Sequence, residues 1–430
     1  MNNFASTLTA GQRRNLRGRT YVATWFGGFS DLMLDNSALI IIYLTMLRAG
    51  NAAAMLSTGL TALVQMFTLI PTAGVVDRFG PKRVIFASGI TACAGLLLTA
   101  FAPVFGDSAK FAALAGIAGF CLSKPLWNAS WYTVLNCILL PEERAKFLGF
   151  MRFSYSIITG GLFFLLGLAM GKNPPLPLLQ AVIAVIGLLV LGRSLIIVSM
   201  PLPPHVPRHY DLKGSLAISV RNSPLNGFSV YAGFIMLAFA PVLPMAMLYL
   251  KQGLNLPADA VQMLSCACIA GSVCGYFLYA RIVKKFGLRV LELSLHGVFV
   301  LVALTLAFCG KNIPGAEYLV AFLLFAGNFA YACFFCAFSQ EILALARPGN
   351  TTMAAAFANT YMQTGMACGR GTASFLLGCG ALADQWRMWG MPFTDFQTLF
   401  LICAGLTLFG MTFVFCLPSV VPKHEDYYEP

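Results

Sequence analysis

Long apolar runs, separated by short polar segments, extend over most of the 430-residue chain. A helix needs about twenty apolar residues to cross the hydrocarbon core of a bilayer. Twelve runs reach that length, six on each side of a longer polar segment. They predict membrane-spanning helices over residues 21–47, 53–76, 83–105, 111–139, 147–170, 176–200, 227–250, 257–282, 288–310, 316–345, 352–382 and 393–417.

The polar segment divides the chain into two parts of similar length. We therefore expect an all-α membrane protein with two pseudo-symmetric six-helix bundles, over residues 1–200 and 227–430, and a linker over 201–226. The second bundle ends in a short polar tail. Within the linker, Leu212 to Val220 has the pattern of a short amphipathic helix lying on the membrane surface.

Composition supports a lipid environment. Apolar residues make up 58% of the chain and charged residues only 10%, more apolar surface than a soluble domain of this size can bury. Residues 1–20 are polar and rich in arginine, so we expect no cleavable signal peptide.

The net charge of +12 is distributed unevenly between the two predicted sides of the membrane. With the N-terminus inside, twenty basic residues fall on the cytoplasmic side and six on the outer side. Cytoplasmic loops are enriched in Lys and Arg, so we expect a multi-pass plasma (inner) membrane protein with both termini cytoplasmic. Topology thus explains the charge, and we expect no nucleic-acid partner.

The residues typical of enzymes and metal sites are sparse. All thirteen cysteines lie in apolar stretches, which argues against a disulfide framework. Cys333 and Cys336 form a CxxC, but within an apolar helix this spacing is typical of packing residues. We find no nucleophile or metal constellation and no nucleotide-binding loop, and we expect no enzyme activity, metal or cofactor.

A short motif occurs twice, after the second and the eighth predicted helix. The first copy is the run Asp77-Arg78-Phe79-Gly80-Pro81-Lys82-Arg83, and the second is Lys284-Lys285-Phe286-Gly287-Leu288-Arg289. The Phe-Gly pairs lie 207 positions apart, and the same offset relates the first predicted helix to the seventh. The chain therefore has the pattern of a duplicated six-helix unit.

The first copy of the motif resembles the signature between the second and third helices of the major facilitator superfamily. With the helix count and the central linker, the resemblance covers nearly the whole chain and implies a transporter fold. It also implies a conformational gate formed by Gly74, Asp77, Arg78, Gly80 and Lys82. The family's usual glycine position is Ala73 here, with Gly74 next, and the second copy has Lys284 in place of the aspartate. The family's antiporter motif is absent from the fifth helix.

Ionisable residues at bilayer depth are costly and point to function. Asp31 and Asp35 lie four residues apart in the first predicted helix, Lys124 is central in the fourth, and Arg370 is central in the eleventh. Two neighbouring carboxylates cannot comfortably both ionise, so one should hold a proton near neutral pH. This arrangement favours proton coupling or solute binding. A buried ion pair that only joins two helices is the alternative.

Two further charged residues, Arg193 and Glu341, lie nearer the predicted cytoplasmic helix ends. Snorkelling or a salt bridge to a loop would explain both of them.

Uncharged polar and aromatic residues complete the candidate site. Trp127, Asn128 and Trp131 follow Lys124 at helical spacing, and Trp131 fits the membrane interface as well. In the second bundle the candidates are Asn328, Tyr331 and Gln363. Polar stripes also occur in the eleventh helix (Asn359, Gln363, Arg370) and in the second (Thr58, Thr61, Gln65, Thr68), where they could equally join helices.

Together these features predict a secondary active transporter that moves a small organic solute by alternating access. An anionic group on the solute could meet Lys124 or Arg370, and we expect proton symport and a monomer in the lipid bilayer. The alternatives are a transporter of an amphipathic or lipid-like substrate, and a non-transporting membrane sensor or assembly factor with the same fold.

Overall fold

The structure is a computed structural model of the 430-residue chain. It describes residues 4–34, 36–139, 141–203, 211–310, 313–347, 350–383, 385–388 and 391–416.

In the described part of the N-terminal half, eight helices follow one another along the chain. Their bounds are α1 (Phe4–Thr7), α2 (Ala10–Leu32), α3 (Leu39–Met46), α4 (Gly50–Phe79), α5 (Pro81–Ala100), α6 (Ala109–Ile138), α7 (Pro141–Met170) and α8 (Leu176–Val198). A 3₁₀ segment, Ala102–Ser108, joins α5 to α6.

The rest of the described chain is also mainly helical. Its helices are α9 (Leu212–Val220), α10 (Ser223–Phe239), α11 (Val242–Leu248), α12 (Ala258–Phe286), α13 (Leu288–Phe308), α14 (Ala316–Leu345), α15 (Thr351–Gly378) and α16 (Asp395–Cys416). A π-helical turn, Tyr249–Gly253, follows α11. Between α15 and α16, the strands β1 (Trp386–Met388) and β2 (Met391–Phe393) form an antiparallel hairpin that the apolar runs did not indicate.

Ten helical stretches of the described residues are long and apolar enough to cross a membrane. They correspond to ten of the twelve predicted spans and confirm a multi-pass, all-α membrane protein. The α2–α3 pair and α15 occupy the positions of the first and eleventh predicted spans, but neither contains a stretch that is both long enough and apolar enough to be counted. Large apolar side chains such as Phe67, Phe322 and Phe375 are well exposed, as expected for a surface in contact with lipid.

The first predicted span is not one continuous helix, so the prediction of a helix over 21–47 is wrong in this respect. Helix α2 begins earlier, at Ala10, and ends at Leu32, and α3 begins only at Leu39. Asn and Ser compete with helical hydrogen bonding through their own side chains. Ser37 does so here, because its Oγ accepts a hydrogen bond from the backbone N–H of Leu39 at 3.2 Å.

The seventh predicted span is interrupted at the corresponding place. Helix α10 ends at Phe239 and α11 begins at Val242. Pro244 has no N–H to donate to the carbonyl of Ala240, four residues earlier, so that carbonyl is free for another donor. The offset of 207 residues found in the sequence relates Met33 to Ala240, so the first helix of each half breaks at an equivalent position.

The duplicated Phe-Gly motif forms two turns with nearly the same backbone conformation. Gly80, between α4 and α5, has φ 84° and ψ 149°, and Gly287, between α12 and α13, has φ 78° and ψ 162°. A positive φ is strongly disfavoured for residues with a Cβ, so glycine is required at both turns. We call the end of the helix bundle that carries these two turns the basic end, since the exposed Arg78, Lys284 and Lys285 lie there.

The two halves meet mainly along two helix pairs, α4 with α15 and α7 with α12. Glycines allow close approach in the α7–α12 pair. A Cβ on Gly167 would lie 2.7 Å from Cγ of Met263, and one on Gly160 would lie 3.1 Å from Ile269.

The predicted short helix of the linker is confirmed, with the predicted bounds Leu212–Val220. Asp211 caps it by accepting a hydrogen bond from the backbone N–H of Gly214 at 2.9 Å. The amide of Asn350, just before α15, donates to Ser219 Oγ at 3.0 Å. These contacts hold α9 against the C-terminal half.

Candidate functional site

Three charged side chains from three helices of the N-terminal half meet at bilayer depth. We call Asp31, Lys124 and Arg193 the Asp31 cluster. The ammonium of Lys124, on α6, donates to Oδ1 of Asp31 at the end of α2. Arg193, on α8, donates from a terminal guanidinium nitrogen to Oδ2 at 3.2 Å. One carboxylate therefore holds two cations, and the cluster has a net charge of about +1.

Lys124 has two further contacts that fix its position. Its ammonium donates to the backbone carbonyl of Ser30 at 3.3 Å and lies 4.9 Å from the centre of the Phe120 ring. A cation over an aromatic face is attracted by the ring quadrupole. Lys124 is thus held between α2 and its own helix, as its predicted pairing with the first helix requires.

The position of Arg193 corrects the sequence interpretation of a snorkelling residue. Its side chain is buried, with only 1% of the residue exposed, and its guanidinium carbon lies 3.8 Å from the centre of the Trp127 ring. Gly27 makes this possible, because a Cβ there would collide with the guanidinium. The glycine pair Gly27-Gly28 in α2 was the signal in the sequence that a large side chain had to fit against this helix.

A cavity of about 200 Å³ borders the Asp31 cluster. The carboxylate of Asp31 remains 38% exposed, whereas the side chain of Lys124 is 11% exposed and that of Arg193 only 2%. The cavity therefore presents a carboxylate backed by two more deeply buried cations. Its lining residues are Ser30, Asp31, Leu34, Thr61, Gln65, Lys124 and Asn128.

The lining brings together some of the predicted site residues and not others. Asp31, Lys124 and Asn128 share the cavity, and Thr61 and Gln65 join them from the predicted polar stripe of the second helix. Trp127 lies behind the cavity, beneath Arg193, and stacks on Trp131 with ring centres 5.1 Å apart. Both indoles are buried, so Trp131 is a packing residue rather than an interfacial anchor.

Asp35 lies outside the described residues. The prediction that Asp31 and Asp35 share one helix face assumed a continuous helix over 21–47, and α2 ends at Leu32.

The candidate residues of the C-terminal half lie away from this lining. Asn328, on α14, accepts hydrogen bonds from the amide of Asn36 at 3.0 Å and from Ser272 Oγ at 3.4 Å. Tyr331 is half-buried beside Phe335, with ring centres 5.3 Å apart. Gln363 is buried, and its Oε1 has no hydrogen-bond partner in the described structure. Asn328 thus links the halves, while Gln363 keeps an unused acceptor.

Arg370 binds backbone carbonyls on both sides of the interface between the halves. Its Nε donates to the carbonyl of Ala240 at 3.2 Å, the carbonyl that Pro244 leaves free. A terminal nitrogen donates to the carbonyl of Thr58 on α4. The planar guanidinium can hold both carbonyls at once, which an ammonium cannot do with the same geometry.

The predicted gate residues surround the Gly80 turn. Lys82 donates to the backbone carbonyl of Met200, just after α8, and Arg78 is exposed with its guanidinium beside Phe79. A Cβ on Gly74 would meet nothing within 4 Å, so this conformation does not use Gly74 for close packing. The side chain of Asp77 lies outside the described part of the structure.

Within the described ranges, no group of three or more His, Cys, Asp or Glu side chains is placed to hold a metal ion. The twelve cysteines whose side chains are described are all free thiols.

Comparison with known families assigns the fold. The model of the Major Facilitator Superfamily matches residues 24–370, which is most of the chain. The chain belongs to this superfamily. Membership makes it a membrane transporter rather than an enzyme. No curated protein sequence matches significantly.

Solved structures agree with this major facilitator fold. A variant of the nucleoside transporter NupG superposes with a TM-score of 0.72 at 15% identity, covering 93% of this chain and 99% of that one. A D-xylose–proton symporter gives 0.70 at 13% identity, with 95% and 98% covered. A POT family transporter in complex with 5-aminolevulinic acid gives 0.69 at 11%, with 93% and 96% covered. At these identities the likeness concerns the fold alone.

Proposed function

We propose that this major facilitator moves a small organic solute with an anionic group, by alternating access and together with protons. The observation that carries the proposal is the net positive Asp31 cluster at the wall of a cavity within the bilayer. Charges at that depth are expensive, and two cations around one carboxylate leave an excess positive charge for a ligand to neutralise.

The size of the cavity supports a small solute. Pockets for drug-sized ligands have volumes of about 300–1,000 Å³, and one water occupies about 30 Å³ of liquid. A cavity of about 200 Å³ fits a metabolite with few heavy atoms better than a lipid-like molecule.

The contacts between the halves support an alternating-access cycle. Ser37 donates to Gln262 Oε1 at 3.2 Å, and Ser374 donates to the carbonyl of Ala52 at 2.7 Å. These residues lie toward the end of the bundle opposite the basic end. In this state the bundle is joined at that end, so the solute would enter from the basic end, which we propose is cytoplasmic together with both termini.

The chemistry of the Asp31 cluster supports the proposed proton coupling. The ionised carboxylate competes with a solute anion for Lys124 and Arg193. Protonation of Asp31 would remove this competition, so a proton and an anion would bind together, as symport requires. Asp35, close in sequence, is the second carboxyl that we propose takes part.

The remaining parts of the proposal concern assembly. We propose a monomer in the inner membrane, with one six-helix bundle over residues 1–200, a linker over 201–226, and a second bundle over 227–430.

A ligand screen tests the solute class. Purified protein would be melted in the presence of small carboxylates, nucleosides and pentoses, and the stabilising compounds tested for uptake into proteoliposomes. We expect stabilisation by an anionic solute and its loss in Lys124→Met, because the ammonium that meets the anion is gone. The matched control is Lys172→Met, which removes an exposed lysine. Equal binding by both variants would contradict the proposal.

A neutral polar solute is the second candidate. Thr61, Gln65 and Asn128 line the cavity with uncharged donors and acceptors. NupG and the D-xylose symporter, whose folds are similar, carry such solutes according to their names. If a nucleoside or pentose stabilises the protein and still does so in Lys124→Met, the result would favour a neutral polar solute.

Uptake with and without a pH gradient tests coupling. Asp35→Asn mimics a permanently protonated carboxyl, so we expect it to abolish gradient-driven uptake and to spare solute exchange, which moves no net proton. Asp31→Asn is measured in the same way, normalised to folded protein. Unchanged gradient-driven uptake in both variants would leave the Asp31 cluster as a structural ion group.

A further inference from the structure

A buried carboxyl group lies in the C-terminal half, on the opposite half of the chain from the Asp31 cluster. Glu292 is near the start of α13 and is only 2% exposed. Its Oε1 makes no hydrogen bond in the described structure. Asp31, by contrast, is held by two cations.

The helix packed against α13 carries a second buried acid. Glu341, on helix α14, is also only 3% exposed, and α14 packs against α13. An isolated carboxylate in a medium of low dielectric constant is far more costly than its neutral acid, and a second carboxylate nearby adds to the cost. Burial, the unpartnered oxygen and Glu341 all favour the protonated form of Glu292.

The other helices packed around Glu292 present neutral groups. Tyr231 faces it from α10, and Tyr279 faces it from α12 while donating to Gln340 Oε1 at 2.8 Å. The acid described on α16, Asp395, lies at the far end of that helix.

The cations nearest in sequence whose side chains are described lie at the basic end. On α12 they are Arg281, Lys284 and Lys285, and all three are exposed, as is Arg347 beyond α14. The side chain of Arg289, one turn before Glu292, lies outside the described part.

A histidine one turn after Glu292 is fixed in a single neutral form. Nδ1 of His296 faces the backbone carbonyl of Glu292, so Nδ1 carries the proton. Nε2 is then an acceptor, and the hydroxyl of Tyr231 donates to it at 2.7 Å. The oxygen of that hydroxyl keeps an acceptor site.

We propose that Glu292 is a proton-binding site, with Glu341 as its neighbouring second carboxyl and the Tyr231–His296 pair as its fixed hydrogen-bond surroundings. In the enclosed state described here, the carboxyl holds one proton taken from water. When the helices around it separate and water enters, the ionised form is solvated and the proton returns to water. The use of this proton in transport rests on the proposed symport function, whereas its binding does not.

Infrared spectroscopy of the purified full-length protein tests proton binding without any solute. The probe is the proton itself, exchanged for deuterium at neutral pH. We expect a carbonyl band of a protonated carboxylic acid that shifts in D₂O, and we expect Glu292→Gln to remove it. Glu317→Gln, at the other end of α14 and less buried, is the matched control and should leave the band in place.

Absence of such a band from the wild-type protein, or its persistence unchanged in Glu292→Gln, would overturn the proposal. If Glu292→Gln does not fold, Glu292→Asp decides, because it keeps a carboxyl and should move the band, while an unchanged band again refutes the assignment. Failure of uptake in the solute screen, together with a band that depends on Glu292, would remove the transport proposal and leave the proton site standing.

Discussion

The two halves of the chain share helix breaks and glycine turns, but the surroundings of one acid in each half differ. Each half begins with a helix that breaks near its middle, and each has a glycine turn with the same positive φ after its second long helix. In the N-terminal half, the partly exposed acid Asp31 is paired with two cations. In the C-terminal half, Glu292 is buried, and helix α14, which packs against α13, carries a second buried acid, Glu341. The duplication thus preserved turns and breaks, while the side chains around the two acids diverged. We propose anion recognition for the first half and proton binding for the second.

Neutralising the acid in each half is the strongest test of this difference. Asp31→Asn leaves Lys124 and Arg193 without their carboxylate, and breaking a buried pair costs about 3–5 kcal/mol. Because Asp31 is 38% exposed, we expect a loss of about 2–4 kcal/mol. Glu292→Gln exchanges one neutral group for another and should cost less than about 1 kcal/mol. Denaturant unfolding in detergent measures both losses, and equal losses would contradict the proposed difference between the two acids.

The space that Gly27 leaves for Arg193 gives the next largest effect. Gly27→Ala places a methyl group against a buried guanidinium, so we expect a loss of about 1–3 kcal/mol, as for overpacked cores, and weaker solute binding. Gly18→Ala on the same helix is the control, since a Cβ there meets nothing within 4 Å. Similar melting temperatures for both variants would show that Arg193 can move aside without cost.

The contacts of Arg370 allow a test of the interface between the two halves. Arg370→Lys keeps the charge but loses the fork that holds the carbonyls of Ala240 and Thr58 together, so we expect folding to persist with a loss of about 1–2 kcal/mol. We also expect slower uptake, since the joined state is weakened. Arg387→Lys, at an exposed site in the hairpin, is the matched control. Normal uptake and stability in Arg370→Lys would make this contact incidental.

The smallest effect is expected in the C-terminal half. Tyr231→Phe removes the donor to His296 Nε2 and should cost about 1 kcal/mol, the net value of one hydrogen bond. Solute affinity should not change, because Tyr231 does not line the cavity. A thermal melt and a binding titration on the same preparation separate the two outcomes, and a large loss of affinity would place the solute site nearer to α10.

Much of the fold followed from the sequence because lipid imposes a length on each apolar run. The duplicated Phe-Gly motif and the helix Leu212–Val220 could also be predicted, because glycine turns and capped amphipathic helices have local sequence signatures. The breaks in the first and seventh spans were not predicted. Asn36 and Ser37 sit within a run long enough to span, and Pro241 and Pro244 were masked by the apolar residues around them.

The candidate site was only partly predictable, because depth along one helix does not reveal which side chain of another helix faces it. Asp31 and Lys124 were paired correctly, since both lie in mid-bilayer on helices that adjoin in the family. Arg193, 162 residues from Asp31, was assigned to a helix end instead. Glu292 lies within the predicted span 288–310 but was not singled out, since the sequence does not show that the packing of neighbouring helices leaves it only 2% exposed.

The break in the first span also affects the equilibrium between the state in which the halves are joined at this end and the state in which they are separated. Asn36, Ser37 and Ala38 each form one hydrogen-bonded link to the C-terminal half, with Asn328, Gln262 and Ser265. Uncharged hydrogen bonds are each worth about 0.5–1.5 kcal/mol net, so the three together hold the halves by about 1.5–4.5 kcal/mol. At about 1.4 kcal/mol per factor of ten, they favour the joined state by about ten-fold to a thousand-fold. Thermal fluctuation can break three links of that combined strength. A modest difference in ligand affinity between the joined and the separated state is therefore enough to offset them.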